Sequence, residues 1–329
     1  MNCSVSLLIV LGLVLAAEFI NGMNDATNAI ATVISTKILA PSQAILMACI
    51  FNIIGAMSGT AVAATIGKGI VQPGAIDLTT VGAALVAIVL WGAPATFWGL
   101  PISISHALVG GLAGAGLATA GPSVLVASGW QKVFIGLFFS TVLGFLSGFI
   151  LMVVIYRIFA KTRPSTVRRF FGKAQILSAA FMAFSHGSND GQKFIGVFTL
   201  VLVIGGVLPA FHVQVWVILL CAVTMGVGTS FGGWQVIKTM GMKLTKLEPV
   251  NGFAAETGAG LIIEIASRLG IPLSTTHTIS VSIMGVGSTK RFSAVRWGVT
   301  RDIVLAWILT FPLCGFIGFV VAKIARLIF

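Results

Sequence analysis

Apolar residues run along this chain in ten blocks separated by short polar stretches. The blocks span roughly 4–36, 42–65, 76–98, 102–120 and 130–156, then 174–207, 212–235, 251–268, 272–289 and 302–328. About 20 apolar residues in a helix cross a hydrocarbon core of about 30 Å. The pattern therefore predicts membrane segments, five in each half. Polar residues interrupt the first and sixth blocks, which predicts broken helices there. Blocks 102–120 and 272–289 are short and interrupted, and read either as full crossings or as re-entrant hairpins. No stretch is long and polar enough for a soluble domain. The expected fold class is an all-α polytopic membrane protein.

Composition agrees. Of 329 residues 57% are apolar and 9% charged, with a mean hydropathy of +1.07, whereas soluble domains carry about a quarter charged residues. The opening MNCSVS has no basic stretch, so the first block reads as a retained segment and not a cleaved leader. Cys3, Cys49, Cys221 and Cys314 are scattered and read as packing residues, with no disulfide framework or zinc site. The net charge of +12 follows from topology. With the N-terminus outside and every block crossing, the inside loops hold 14 of the 20 basic residues, from Lys37 and the run Arg157–Lys173 to Lys290–Arg301. That is the positive-inside pattern. It places both termini outside and the central basic loop in the cytoplasm, and it leaves no call for a nucleic-acid partner.

Two motifs occur twice. "FINGMNDATNAI" (19–30) has a twin in "FSHGSNDGQKFI" (184–195), and a shift of 165 lays Asn189 on Asn24 and Asp190 on Asp25. "GLPISISHALVGGLAGAG" (99–116) has a twin in "GIPLSTTHTISVSIMGVG" (270–287), and a shift of 171 lays Pro272 on Pro101, Ser274 on Ser103, Thr276 on Ser105 and His277 on His106. Paired motifs in the same order mean an internal duplication. Five crossings per half is odd, so the halves take opposite orientations. The expected organisation is a first inverted repeat over 1–157, a basic cytoplasmic linker over 158–173 and a second repeat over 174–329. Inverted repeats with interrupted helices at matching positions point to a secondary transporter with a midplane site.

A carboxylate within a bilayer is costly unless it faces protein, water or a cation. Asp25 and Asp190 each follow an Asn and lie close to a Gly, where a helix can unwind and expose carbonyls. That set suits a hard cation such as Na+ or a carried proton; the alternative is a cap on the following half-helix. In the second motif pair, proline starts a helix whose first turn is crowded with the hydroxyls of Ser103, Ser105, Ser274, Thr275 and Thr276. Free N–H groups, hydroxyls and the positive end of the helix dipole make an anion site, and two such ends meeting would hold a tetrahedral oxyanion. Ordinary N-capping is the alternative. His106 and His277 are candidates for the same anion, or interhelical hydrogen-bonders. The glycines of GGLAGAG follow no strand and read as close helix packing.

The motifs NGMNDATNA, HGSNDGQK, PISISH and PLSTTH, with the stretches 232–256 and 295–312, resemble the inorganic phosphate transporter family of the Pit type, nearly end to end. The resemblance implies no enzyme but a plasma (inner) membrane carrier of inorganic phosphate with H+ or Na+, on an inverted-repeat fold that is commonly dimeric. NDGQK resembles the bacterial branch associated with proton coupling and with metal–phosphate complexes, in which a divalent metal travels with the anion; no cofactor is implied. By the same resemblance the cation falls to Asp25 and Asp190 with Asn24, Asn28 and Asn189, both aspartates being Na+ ligands if sodium is the ion. Phosphate falls to the hydroxyls of 103–105 and 274–276.

One position departs from the symmetry. Lys193 stands where the first half has Asn28. It either pairs with Asp190 in place of a sodium ion or attracts phosphate, and both readings disfavour a symmetric two-sodium site. An intramembrane aspartyl protease needs a Gly-x-Gly-Asp context, which is absent here. A passive anion channel would not need buried carboxylates. Sulfate is the nearest rival substrate, differing in that hydrogen phosphate still carries a proton.

Overall fold

The computed structural model describes residues 5–25 and 27–328. Among these no strand forms; an isolated bridge joins Val71 to Leu125. The first half contains α1 (Val5–Asn24), α2 (Asn28–Ser35), α3 (Pro41–Ala56), α4 (Ala61–Gly69), α5 (Leu78–Trp98), α6 (Ile104–Ala120), α7 (Ala127–Phe138) and α8 (Gly144–Ile158). The second contains α9 (Pro164–His186), α10 (Gln192–Ile204), α11 (Val215–Phe231), α12 (Trp234–Lys238), α13 (Pro249–Arg268), α14 (Thr275–Ser288) and α15 (Trp297–Ile328). The basic stretch 158–173 enters α9 at Pro164, a residue suited to a first helical turn.

Among the described residues four helical spans are long and apolar enough to cross a membrane: α1 with α2 (Val5–Ser35), α5 (Leu78–Trp98), α7 with α8 (Ala127–Ile158) and α15 (Trp297–Ile328). Two bent pairs raise this to six. Hydropathy read blocks 42–65 and 212–235 as single crossings. Each is bent within its run: α3 and α4 meet at 70°, and α11 meets the segment 234–243 at 68°. A continuous apolar run does not reveal a bend; in the second case Gly232 takes a positive φ of 57°, open to glycine without strain. The expected break in 174–207 also differs. There α9 runs into α10 through a π turn, Gly187–Gly191, which bulges the chain while keeping its backbone bonded. In the first half α1 and α2 are separate helices.

Packing repeats when one half is exchanged for the other. α1 lies on α11 as α9 lies on α3, α5 on α6 as α13 on α14, and α6 on α15 as α14 on α8. The halves thus interleave, each short helix of the second motif resting on the last long helix of the other half. Cys221 and Cys314 are buried and Cys49 half-buried, all unpaired; Cys3 lies outside the described residues. Gly99 and Gly270 hold equivalent positive φ values of 71° and 65°. Each turns the chain from a long helix into the extended stretch that leads to α6 or α14.

The small residues of 110–116 let α6 touch α15 backbone to backbone. A Cβ on Gly110 would sit 2.5 Å from the Phe311 carbonyl oxygen, and one on Gly114 would collide with that of Gly315. Gly114→Val should therefore lower stability by about 1–3 kcal/mol or prevent folding. Gly12→Ala, with nothing within 4 Å of the added carbon, should be neutral or slightly stabilising. Thermal unfolding of the purified variants in detergent measures both, and a wild-type midpoint for Gly114→Val would show that α6 and α15 can part freely.

Candidate functional site

The first turns of α6 and α14 supply the hydroxyls, and the α1–α2 break and the π turn supply the charges. Ser103 and Ser274 are extended N-cap residues, and each hydroxyl accepts the N–H of the following histidine, His106 or His277, at 3.2 Å. Capping, the plainer reading of these two serines, is thus what their oxygens do, and it fixes the first-turn N–H groups in place.

The two asparagines do matching work. Asn24 Nδ2 donates to Thr96 Oγ1 at 2.9 Å and to the Leu100 carbonyl at 3.3 Å. Asn189 Nδ2 donates to Ser267 Oγ at 3.0 Å and to the Ile271 carbonyl at 3.2 Å. These partners are related by the same shift of 171 residues. Each amide therefore ties its acidic segment to the extended entry of a first-turn hydroxyl cluster.

The next contacts cross between halves. Asn28 Nδ2 donates to Thr276 Oγ1 at 2.9 Å, so a first-half residue binds the second half's first turn. Its counterpart Lys193 donates to Ser105 Oγ, in the first half. Lys193 also bonds Asp190 Oδ1 and, at 2.6 Å, the Leu273 carbonyl. The ammonium is fully buried and its three protons have three partners. Asp190 Oδ2 accepts from Thr275 Oγ1 at 2.8 Å and faces His186 Nε2 at 3.3 Å.

Asp25 is placed alike and charged differently. Its Oδ2 accepts the Ile104 N–H at 3.3 Å, yet no basic side chain pairs with it among the described residues. Asp25 Oδ1, Asn24 Oδ1 and Asn28 Oδ1 are buried without a hydrogen-bond partner among those residues. In the second half the matching oxygens are satisfied: Asn189 Oδ1 accepts the Leu273 N–H at 3.3 Å, and Asp190 is held by Lys193 and Thr275. A buried carboxylate that lacks a counter-charge calls for a cation or a proton. The paired one carries its own.

His106 and His277 meet edge to face at 4.6 Å, and His277 stacks on Trp307 at 3.8 Å. Both line a cavity of about 430 Å³ between α7 and α15, whose other walls include Trp130, Phe134 and Phe311. His106 also borders a narrow cleft shared with Ser105, Lys193 and Ser274. The histidines thus stand at the wall between the hydroxyls and an apolar space.

Three groups were passed over in the sequence. His186 lies four residues before Asp190, on its helix face, and its Nδ1 lies 2.9 Å from Asn52 Oδ1. Glu256, fully buried, is held by the hydroxyls of Thr32 and Ser178 and by Gln175 Nε2 at 3.2 Å. An acid in block 251–268 was signal enough. Asn52 sits in a run that looked merely apolar.

Known proteins resemble this one along its length. The family model described as the phosphate transporter family matches residues 21–318. A probable low-affinity inorganic phosphate transporter of Rhizobium meliloti (strain 1021) is 40% identical over 323 residues, covering 97% of each chain. One of the same description from Bacillus subtilis (strain 168) is 40% identical over 318 residues, covering 96% of each. A solved structure described as the sodium-dependent phosphate transporter superposes with a TM-score of 0.91 at 26% identity, covering 99% of this chain and 100% of that one.

Proposed function

The chain belongs to the phosphate transporter family, and from that premise we propose that it is a secondary active symporter importing inorganic phosphate, free or as a metal–phosphate complex, with H+ in preference to Na+. The observation that carries the coupling ion is the asymmetry of the two aspartates. Lys193 gives Asp190 a tethered cation, whereas Asp25 has none among the described residues. One carried charge at Asp25 then completes the site, and a proton does so without a full oxygen shell. Glu18, buried in α1 with Asn21 as its hydrogen-bond partner at 2.9 Å among the described residues, is a second acceptor.

Phosphate is held between the two helix N-termini by Ser105, Thr275 and Thr276, with Ser103 and Ser274 fixing the turns and His106 and His277 at the edge. Asn24, Asn28 and Asn189 shape the cation side. The hydroxyls link the two ligands, since Thr275 bonds Asp190, Thr276 bonds Asn28 and Ser105 bonds Lys193. Neutralising Asp25 changes what these hydroxyls face, and so changes anion affinity. By thermodynamic reciprocity phosphate then favours cation binding to the same degree. The halves, 1–157 and 174–329, form inverted repeats about this site. The protein is a homodimer of the plasma membrane, with both termini outside and residues 158–173 cytoplasmic.

Sodium coupling is the second reading. Three oxygens on Asn24, Asp25 and Asn28 that have no hydrogen-bond partner among the described residues suit a hard cation, and the structural neighbour is described as sodium-dependent. Labelled phosphate uptake into proteoliposomes, with Na+ and pH gradients imposed separately, decides between them. Uptake should persist when choline replaces Na+ at a fixed inward pH gradient. Collapse in choline would show sodium coupling and overturn the proton reading, and transport of sulfate in preference to phosphate would overturn the substrate.

Ser105→Ala and Thr276→Ala test the anion side. Each removes a donor to a dehydrated oxyanion, worth about 1.5–3 kcal/mol when the partner is charged. The phosphate KM should rise on the order of tenfold in each variant. An unchanged KM in the double variant would leave these hydroxyls as helix caps alone.

A further inference from the structure

At the far end of α14 from the transport hydroxyls, about 17 Å away at about 1.5 Å per residue, the chain encloses a cavity of about 380 Å³. Its frame is fixed by cross-links between two loops. Thr245 Oγ1 donates to the Ala294 carbonyl at 3.1 Å, and the Arg296 N–H donates to the Leu244 carbonyl at 2.9 Å. A Cβ on Gly287 would lie 3.2 Å from Thr245 Oγ1, so α14 closes tightly on the first loop.

Lys246, Lys290, Arg291 and Arg296 line this cavity. Glu248 is the acid among the lining residues, and it pairs with Lys290 at 3.5 Å while both remain largely exposed. Topology explains why basic residues gather at this level, and a helix C-terminus favours them. Neither effect accounts for four basic residues lining one cavity.

A second cavity of about 320 Å³ adjoins the first and shares Glu248. It lies between the end of α8, the start of α9 and Val250, and Ile155, Phe159, Pro164 and Val167 make it apolar. Tyr156 stands in its wall and Arg168 borders it. Near the basic cavity, exposed Phe292 and Trp297 stack at 4.3 Å. Aromatic residues of this kind mark the membrane–water interface. A basic pocket and an apolar slot side by side at that level have the shape of an amphiphile with an anionic head.

We propose that the paired cavities bind one anionic phospholipid, its phosphoryl head among Lys246, Arg291 and Arg296 and an acyl chain in the slot between α8 and α9. Basic pockets between membrane helices are a recognised setting for anionic headgroups. The site is separate from the transport hydroxyls, and lipid binding there does not depend on the coupling ion. Through α14 it would fix the position of the helix that carries Thr275 and Thr276 at its other end.

The test is native mass spectrometry of the full-length protein purified in detergent with equal amounts of phosphatidylglycerol and phosphatidylcholine. The wild type should retain phosphatidylglycerol selectively, and R291Q/R296Q should weaken that retention on the order of tenfold or more. If that variant fails to fold, K246Q read in the same way carries the test with a smaller loss. Adding inorganic phosphate should leave the lipid bound. Equal retention of the two lipids, or undiminished phosphatidylglycerol retention by the charge variants, overturns the proposal. Displacement by inorganic phosphate assigns the basic cavity to the free anion and overturns the lipid assignment.

Discussion

Asp25→Asn is expected to reduce gradient-driven phosphate accumulation in proteoliposomes to the level of protein-free vesicles, with the protein folding and inserting normally. The side chain is buried, accepts one weak backbone N–H at 3.3 Å and has no cationic partner among the described residues. An amide of the same shape removes an uncompensated charge, so stability should hold or rise slightly. What is lost is the negative charge that, on the proposed function, balances the carried cation. Asp190→Asn should abolish accumulation as well, but with a structural penalty, because it strands the Lys193 ammonium. The two variants therefore separate a coupling defect from a folding defect. Concentrative uptake at the wild-type rate by Asp25→Asn would sink the assignment of the cation to this residue.

Lys193→Met should be among the most destabilising single substitutions in the chain. It leaves Asp190 buried with His186 at 3.3 Å and Thr275 at 2.8 Å but without its ammonium partner. Breaking a buried pair on one side costs about 3–5 kcal/mol, whereas replacing both partners is often close to neutral. Asp190→Asn combined with Lys193→Met should accordingly lose much less than the sum of the single losses, with a coupling energy of several kcal/mol in thermal or denaturant unfolding. Additive losses would mean that the ion pair contributes nothing in the folded protein. Lys193→Asn, which restores the first half's residue, should in addition admit Na+: uptake by this variant should depend on Na+ more strongly than uptake by the wild type. A variant still indifferent to Na+ would remove Lys193 from the choice of ion.

Much was legible in the one-dimensional pattern. Apolar blocks of membrane length and the +12 charge gathered between them identified a polytopic helical protein. The duplicated Asn-Asp and Pro-x-Ser-x-(Ser/Thr)-His motifs named the residues that the fold brings together. Intramembrane acids and clustered hydroxyls are costly in lipid, so their positions alone flag a site. The glycines of 110–116 were readable as packing because a missing Cβ matters only where another backbone approaches. The bends at 57–60 and at Gly232, and the π turn where a break was expected, were not readable. Hydropathy averages over such local changes of direction, and nothing in it distinguishes a bulged helix from an interrupted one.

The partnerships were decided by the tertiary structure. Lys193 lies three residues from Asp190, so the sequence could suggest their pairing, but its bonds to Ser105 and the Leu273 carbonyl span 88 and 80 residues. Asn28 reaches Thr276 across 248. Such contacts depend on the halves interleaving, and no local periodicity encodes which helix of one repeat rests on which of the other. The same is true of Glu256, which the fold surrounds with Thr32, Ser178 and Gln175. The duplicated motif presents Asp25 and Asp190 as equals, and Lys193 in place of Asn28 is the one sequence sign that they differ. The fold makes them unequal, because burial in a low-dielectric interior turns the presence or absence of a single ammonium into the difference between a satisfied charge and one that must find a cation.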